Sequence, residues 1–153
     1  MKPFRRSLLI PLAALSLAAM AVTGCETRPT AVQDADAAFL SRVKPVLEYY
    51  CTECHNPRLS GESGGLDLTN ARAAFTTGRY APVILPGLPD QSLLVTVLRL
   101  GHEDALGMPP TPDKITDAEL SGIKEWIAAG AHWPSGARGR VRVPVEGTAA
   151  GYR

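Results

Sequence analysis

Apolar positions recur with a helical period in four parts of the chain. They predict helices from Asp36 to Tyr50, from Thr69 or Asn70 to Phe75, from Asp90 to Arg99, and from Thr116 to Gly130. Asp90 is the expected N-cap of the third helix, and Thr116 and Glu119 form a capping box at the fourth. Pro45 is expected to kink or restart the first helix. No internal repeat is evident, and the pattern predicts an all-α domain.

The first 24 residues carry a different pattern. Basic residues near the start precede an apolar run at 8–22, and small residues precede Cys25, which is the arrangement of an export signal. We therefore expect residues 1–24 to be cleaved. An uncleaved membrane anchor is the alternative, but the stretch from Ser7 to Thr23 contains Pro11 and is near the lower limit of about 17–25 residues for a spanning helix.

Val22-Thr23-Gly24-Cys25 resembles the lipobox of bacterial lipoproteins, in which the cysteine becomes the lipid-bearing first residue. The resemblance implies a lipid on Cys25 and a position on the inner or outer membrane, facing the periplasm. Lipoprotein modification adds several acyl chains, which is enough for stable anchoring at about 0.8 kcal/mol per buried methylene. A chance cysteine near an ordinary cleavage site is the alternative.

Composition limits the remaining possibilities. A chain of 153 residues, 45% hydrophobic and 20% charged, suits one globular domain and excludes a large multidomain enzyme. Its 16 Lys and Arg against 15 Asp and Glu give no reason to expect a nucleic-acid partner. The 14 Gly and 13 Pro indicate a loop-rich fold, and aromatic residues are scarce at 6%. Such a small domain has little apolar area to bury, so a structural cofactor is expected.

The clearest chemical motif is Cys51-Thr52-Glu53-Cys54-His55, the attachment sequence of c-type haem. Two thiols three residues apart at a helix end can form thioethers with the two vinyl groups, and the next histidine then lies under the iron. A redox dithiol and half of a zinc site are alternatives. The first lacks a βαβ context, and only His102 or His132 could complete the second, at unusual spacing.

Met108 is the candidate for the second axial ligand. It is the only methionine outside the signal segment, and it lies in Gly107-Met108-Pro109-Pro110, where Pro109 keeps it out of the helical region. A thioether on a stiff extended loop suits iron ligation, although an isolated methionine can also fill a gap in a core.

Two histidines remain to be interpreted. His102 competes with Met108 for the iron, but its neighbours Glu103 and Asp104 favour a solvated surface position. His132 follows the last predicted helix, and we expect it to cap that helix at its C-terminus.

The order of helices, haem motif and methionine loop resembles the class I cytochrome c fold. A closer resemblance, to the planctomycete-type cytochrome c domain, covers about residues 38–134. Its motifs are Val43-x-Pro45-x-Leu47, Cys51-x-x-Cys54-His55, Gly65-Leu66-x-Leu68, Pro86-Gly87-x-Pro89-x-x-Ser92-Leu93-Leu94, Met108-Pro109-Pro110 and Trp126-Ile127-x-x-Gly130-Ala131. It implies three to five short helices with long Gly/Pro-rich loops around one haem, attached through Cys51 and Cys54, with His55 as proximal and Met108 as distal ligand.

The family positions also suggest walls of a haem pocket, although composition alone is equally consistent with ordinary core or turn residues. These positions are Leu66, Leu68, Pro86, Leu94, Pro109 and Trp126. Tyr49 and Tyr50 flank the attachment motif, where they could hydrogen-bond a haem propionate or only pack.

We divide the chain into a signal at 1–24, a tether at 25–35, a monohaem domain at 36–134 and a basic, flexible tail at 135–153. The tail could contact anionic lipid headgroups or an acidic partner, and a solvated terminus is the alternative. The expected protein is a lipid-anchored electron carrier, not an enzyme, that serves redox partner proteins either as a monomer or as a subunit of a larger oxidoreductase. A gas-binding or peroxide-reactive haem protein with an open sixth site and a non-haem interaction lipoprotein are the alternatives.

Overall fold

The computed structural model describes residues 30–144. Its first helix, α1, spans residues 31–51 and alternates between α- and π-helical hydrogen bonding, in the sections Ala31–Ala38, Phe39–Val43, Lys44–Val46 and Leu47–Cys51. Thr30 and Gln33 form a capping box at its start. The helix therefore begins five residues before the predicted start at Asp36, because a cap upstream of the apolar pattern is present.

Pro45 does not end α1. It lies in the first turn of the short α-helical section Lys44–Val46, between the two π-helical sections. Since proline has no N–H to donate, a change in the hydrogen-bond pattern next to it keeps the chain helical. The helix thus continues to Cys51.

Three further helices follow, α2 at Ala71–Thr76, α3 at Leu93–Arg99 and α4 at Asp117–Ala128, with a 3-10 turn at Pro89–Gln91. The Asn70 side chain caps α2 by accepting from the Ala73 N–H. The predicted capping box of Thr116 and Glu119 is present at the start of α4. Residues 30–144 contain no strand, so the all-α prediction is confirmed.

The prediction that Asp90 caps the third helix is wrong. Pro89 opens the 3-10 turn, so α3 begins only at Leu93, after Ser92. The buried Ser92 hydroxyl donates to the Leu88 carbonyl oxygen at 3.0 Å and accepts from the Leu85 N–H at 2.9 Å. Asp90 instead forms an ion pair with Lys124 on α4, at 3.0 Å.

Helices α1 and α4 pack against each other around three aromatic rings. The Phe39 ring centroid lies 5.9 Å from that of Trp126 and 4.6 Å from that of Trp133. Close approach is possible because Gly122 faces α1, where a Cβ would lie 3.4 Å from the Arg42 Cβ. This aromatic cluster is the centre of the hydrophobic core.

The chain after α4 turns back onto the domain. The Trp133 indole N–H donates to the Gly139 carbonyl oxygen at 2.6 Å, and the buried Val141 donates its N–H to the Thr69 carbonyl oxygen at 2.9 Å. Arg142 pairs with Glu48 on α1, at 3.3 Å. We call residues 139–142 the C-terminal strap.

The strap changes the picture of the basic tail. Residues 135–144 do not extend away from the domain as expected of a flexible tail, because Trp133 and Val141 bury apolar side chains on either side of the turn. The expected signal peptide, Cys25 and the tail beyond residue 144 lie outside the described residues. No helix within 30–144 is long and apolar enough to cross a membrane.

Candidate functional site

The haem motif lies where α1 ends. Cys51 is the last residue of the helix and is 8% exposed, whereas Cys54 is exposed. The N–H groups of Cys54 and His55 both donate to the Cys51 carbonyl oxygen, at 3.2 and 2.8 Å. This turn brings both cysteines and the histidine to the same end of α1. We call residues 51–56 the attachment turn.

Both cysteines are free thiols. Burial, and to a lesser extent the charge of Cys54, raises the pKa of the Cys51 thiol to about 12, so it stays protonated at neutral pH. The Cys51 thiol donates weakly to the Val46 carbonyl oxygen, at 3.9 Å. A thioether is also neutral and apolar, and could replace this thiol without placing a charge in the core.

Two buried polar side chains hold the attachment turn. Asn56 is 1% exposed, and its amide donates to the carbonyl oxygens of Thr52 and Glu53, at 2.9 and 2.8 Å. Its own carbonyl oxygen accepts from the N–H groups of Arg58 and Leu59. Sequence reasoning missed Asn56, although an asparagine directly after the motif is a residue that favours such turns.

Thr52 fixes the same turn from the other side. It is fully buried, and its hydroxyl donates to the Arg142 carbonyl oxygen at 2.6 Å. The C-terminal strap therefore lies directly against Thr52, one of the two residues between the haem-motif cysteines. The position of the motif depends on both α1 and the strap.

The His55 imidazole is half-buried, and its Nδ1 atom is buried without a hydrogen-bond partner among the described residues. Burial lowers the pKa of this imidazole, and the backbone of Leu66 and Ser63 opposes the change to a smaller extent. The ring is therefore held neutral, which is the form that binds a metal through a nitrogen lone pair. A neutral histidine beside two free thiols fits a covalently attached haem.

Two of the predicted pocket walls lie next to the histidine. The Leu68 N–H donates to the His55 carbonyl oxygen at 3.0 Å, and the Leu68 side chain is buried. Leu66 is half-buried against the core and packs over Gly78, where an added Cβ would lie 3.4 Å from the Leu66 Cβ and where the φ of +103° favours glycine. The chain thus places two apolar side chains beside the His55 segment.

The other predicted walls are spread more widely. Leu94 and Pro109 are buried, whereas Pro86 lies exposed in a turn. Trp126 belongs to the aromatic cluster, and its indole N–H donates to the His132 carbonyl oxygen at 2.7 Å. Its described contacts are those of a core residue between helices, and a role as a pocket wall stays a prediction.

Met108 lies on a loop between α3 and α4. Its side chain is half-buried against the core, and its N–H donates to the Val97 carbonyl oxygen at 2.9 Å. We call residues 100–109 the methionine loop. Residues 102–106 at the tip of this loop are all exposed.

The two tyrosines before the motif connect α1 to the segment that follows the methionine loop. The Tyr49 hydroxyl donates to the Asp113 carboxylate at 3.0 Å, and the Tyr50 hydroxyl donates to the Lys114 carbonyl oxygen at 3.3 Å. Both phenols therefore have protein partners, and a bond to a propionate stays a prediction.

The two remaining histidines differ in their surroundings. The His102 side chain is 53% exposed and lies 3.4 Å from Glu103, as expected for a surface residue. His132 does not cap α4, so that prediction is wrong: its Nε2 atom lies 2.7 Å from the buried carboxylate of Asp36, which also pairs with Arg138. Residues 30–144 hold no group of three or more His, Cys, Asp or Glu that could bind a metal ion.

Comparison with known families adds one match. Residues 51–112 match the family described as Planctomycete cytochrome C. The matched segment begins at Cys51 and includes His55, the Leu66 and Leu68 pair, and Met108. No curated protein and no solved structure matches the chain.

Proposed function

We propose that the protein is a monohaem c-type cytochrome that carries single electrons, a proposal supported by the match of residues 51–112 to the family described as Planctomycete cytochrome C. Cys51 and Cys54 hold one haem through thioethers, and His55 and Met108 bind its iron. The observation that carries this proposal is the attachment turn, which places two free thiols and a neutral imidazole at the end of a helix that packs one face against the core.

Haem c, when bound, supplies one-electron Fe(II)/Fe(III) chemistry. The residues of the protein attach the haem, orient it and shield it from water. Thioethers from Cys51 and Cys54 would keep the haem attached, and burial keeps the His55 ring neutral and available as a ligand. The apolar side chains of Leu66 and Leu68 reduce the access of water beside the His55 segment.

Ligation by Met108 would decide whether the iron only carries electrons or also binds small molecules. A thioether is a neutral, soft ligand, and ligation by methionine and histidine raises the reduction potential relative to two histidines. If His55 and Met108 both bound the iron, no position would be left for oxygen or peroxide. The proposed role is therefore electron transfer to redox partner proteins and not catalysis.

The proposed location is a bacterial membrane, with a lipid on Cys25 and the domain facing the periplasm. Five residues separate Cys25 from the start of α1 at Ala31. Such a tether spans at most about 20 Å when fully extended. The haem domain would stay close to the membrane surface and meet partners there.

The test is an absorption spectrum of the full chain matured in a host with c-type haem assembly. We expect one haem per chain that survives denaturation, and a weak sulfur-to-iron charge-transfer band in the oxidised protein. Met108→Ala should lose the band, whereas Leu106→Ala should keep it, because Leu106 is exposed on the same loop. Cys54→Ala should weaken covalent attachment.

Other outcomes lead to the alternatives. If the wild-type protein lacks the band and its reduced form binds carbon monoxide readily, the protein is a ligand-binding haem protein. His102 would then be the next residue to replace. A colourless protein from the same host would overturn the haem assignment and favour a non-haem interaction lipoprotein.

A further inference from the structure

We propose that Lys114 is the positioning residue for Met108, because its ammonium group joins the two ends of the methionine loop. The inference rests on the proposed function, in which Met108 binds the haem iron. Lys114 itself contacts no proposed ligand atom, and its effect on the iron is indirect.

We call the Lys114 ammonium, together with the two carbonyl oxygens that it binds, the clamp. The Lys114 ammonium donates to the carbonyl oxygen of Leu100 at 3.2 Å and to that of Pro109 at 3.1 Å. Leu100 directly follows α3, and Pro109 directly follows Met108. One side chain therefore holds the loop at the point where it leaves the helix and at the point where it presents the methionine.

Besides the burial of Pro109 and the packing of Met108 against the core, short-range hydrogen bonds hold this loop, among them the bond from the Asp104 N–H to the Gly101 carbonyl oxygen. The Met108 N–H bonds to the Val97 carbonyl oxygen, and the Gly107 N–H bonds to the Asp104 carbonyl oxygen within the loop. The exposed residues 102–106 contribute no buried apolar side chain. Hydrogen bonds from an ammonium are stronger than neutral ones, so Lys114 carries a large share of the restraint.

Lys114 is in turn fixed to the last turn of α1, directly before the attachment turn. Tyr50, on the last turn of α1, donates to the Lys114 carbonyl oxygen, and Tyr49 donates to the neighbouring Asp113 carboxylate. The chain of contacts runs from the helix end at Cys51, through the tyrosines, to Lys114 and on to Pro109. It sets the position of Met108 relative to the segment that carries His55.

Loss of the clamp should release the loop without unfolding the domain. The carbonyl oxygens of Leu100 and Pro109 would then be free to bind water instead of the ammonium. Met108 would leave the iron more often, so a small added ligand such as imidazole would compete more successfully. Apparent affinity rises in proportion to the fraction of molecules with an open site.

The experiment uses the oxidised holoprotein, with Lys114→Met as the variant and Lys44→Met as its matched control. Lys44 also donates to a backbone carbonyl oxygen, that of Arg138 at 3.2 Å, but it joins α1 to the segment after α4. We expect imidazole to bind Lys114→Met about tenfold more tightly than wild type, and Lys44→Met within about twofold. Lys114→Arg retains charge and donors, and should restore most of the wild-type affinity.

A measurement that does not need the haem tests the restraint of the methionine loop by Lys114 separately from the binding of iron by Met108. Amide hydrogen exchange over residues 100–109 should be faster in Lys114→Met than in Lys44→Met. If the wild-type sulfur-to-iron band is present but both variants bind imidazole equally, the positioning role is overturned and the proposed function stands. If the wild-type band is absent, ligation by Met108 fails, and the positioning role for it fails as well, whatever the exchange rates show about the clamp.

Discussion

The attachment turn and the methionine loop supply the two proposed ligands of one iron, but they are held in different ways. The attachment turn continues a core helix, and Cys51, Thr52 and Asn56 within it are all buried. The methionine loop is exposed over five consecutive residues and is held mainly at its two ends. One ligand thus lies on a turn held by buried residues, and the other lies on a loop with an exposed tip whose ends are joined by hydrogen bonds.

This difference separates two properties of the site. Changes in the attachment turn affect the folding of the whole domain, because its polar groups are satisfied inside the core. Changes in the methionine loop affect the sixth ligand while the core remains packed. Substitutions in the attachment turn should therefore lower the stability of the domain, and substitutions in the methionine loop should mainly weaken ligation by Met108.

The largest effect on stability is expected from Asn56→Ala. The substitution removes a side chain that makes four hydrogen bonds with the backbone of the turn and of the residues after it. Unsatisfied buried groups are costly, so the free energy of unfolding should fall by about 3 kcal/mol, measured by urea denaturation of the holoprotein. Less haem attached per chain should accompany the loss.

Asn70→Ala is the matched control. Asn70 also accepts a backbone N–H, that of Ala73, but only as the cap of the short helix α2. Removal of a helix cap costs about 1 kcal/mol. Equal losses for the two variants would contradict the view that the attachment turn is part of the core.

A smaller effect on stability and a larger one on ligation are expected from Gly107→Ala. A Cβ at residue 107 would overlap the carbonyl oxygen of Gly101 and lie 3.2 Å from that of Asp104. The loop must shift, at a cost of about 2 kcal/mol. We expect the sulfur-to-iron band to disappear at a lower temperature than in wild type, as followed by absorption during heating.

Gly61→Ala provides the comparison for that variant. Its Cβ would meet no atom within 4 Å, so the change in stability should stay within about 0.5 kcal/mol and the band should be unaffected. A Gly107→Ala protein that kept the band up to the wild-type temperature would show that the loop adapts without moving Met108.

The contrast between the regions also explains what the sequence could and could not predict. The attachment motif and the capping box of α4 depend on residues close together in the chain, and their placement at a helix end and a helix start is confirmed. The local pattern predicts Asp90 as a cap, but Pro89 starts a turn that moves the helix start to Leu93. Capping patterns therefore predict a helix start correctly unless another turn, such as the one opened by Pro89, takes up the same residues.

Contacts between distant residues could not be predicted in this way. His132 pairs with Asp36, which lies 96 residues away in the sequence, and nothing near His132 indicates that partner. Lys114 binds backbone carbonyl oxygens. Because every residue has one, the residue types in the sequence do not indicate which of them Lys114 binds. The C-terminal strap could not be predicted either, because its composition resembles that of a flexible tail. Its backbone is fixed by hydrogen bonds to Thr52 and Thr69, which are distant in the sequence.

The smallest effect is expected from Thr52→Val, which tests whether the strap supports the attachment turn. Valine keeps the shape of the buried side chain but loses the bond to the Arg142 carbonyl oxygen, so the free energy of unfolding should fall by about 1 kcal/mol. Thr76→Val removes a similar bond, to the Arg72 carbonyl oxygen, at the exposed end of α2 and should cost at most about 0.5 kcal/mol. Faster amide exchange over residues 139–142 in Thr52→Val alone would place the strap within the same cooperative unit as the haem motif, since exchange reports local opening. Unchanged exchange would mean that the strap is held independently, by Val141 and Arg142, and that the attachment turn is fixed by α1 and Asn56.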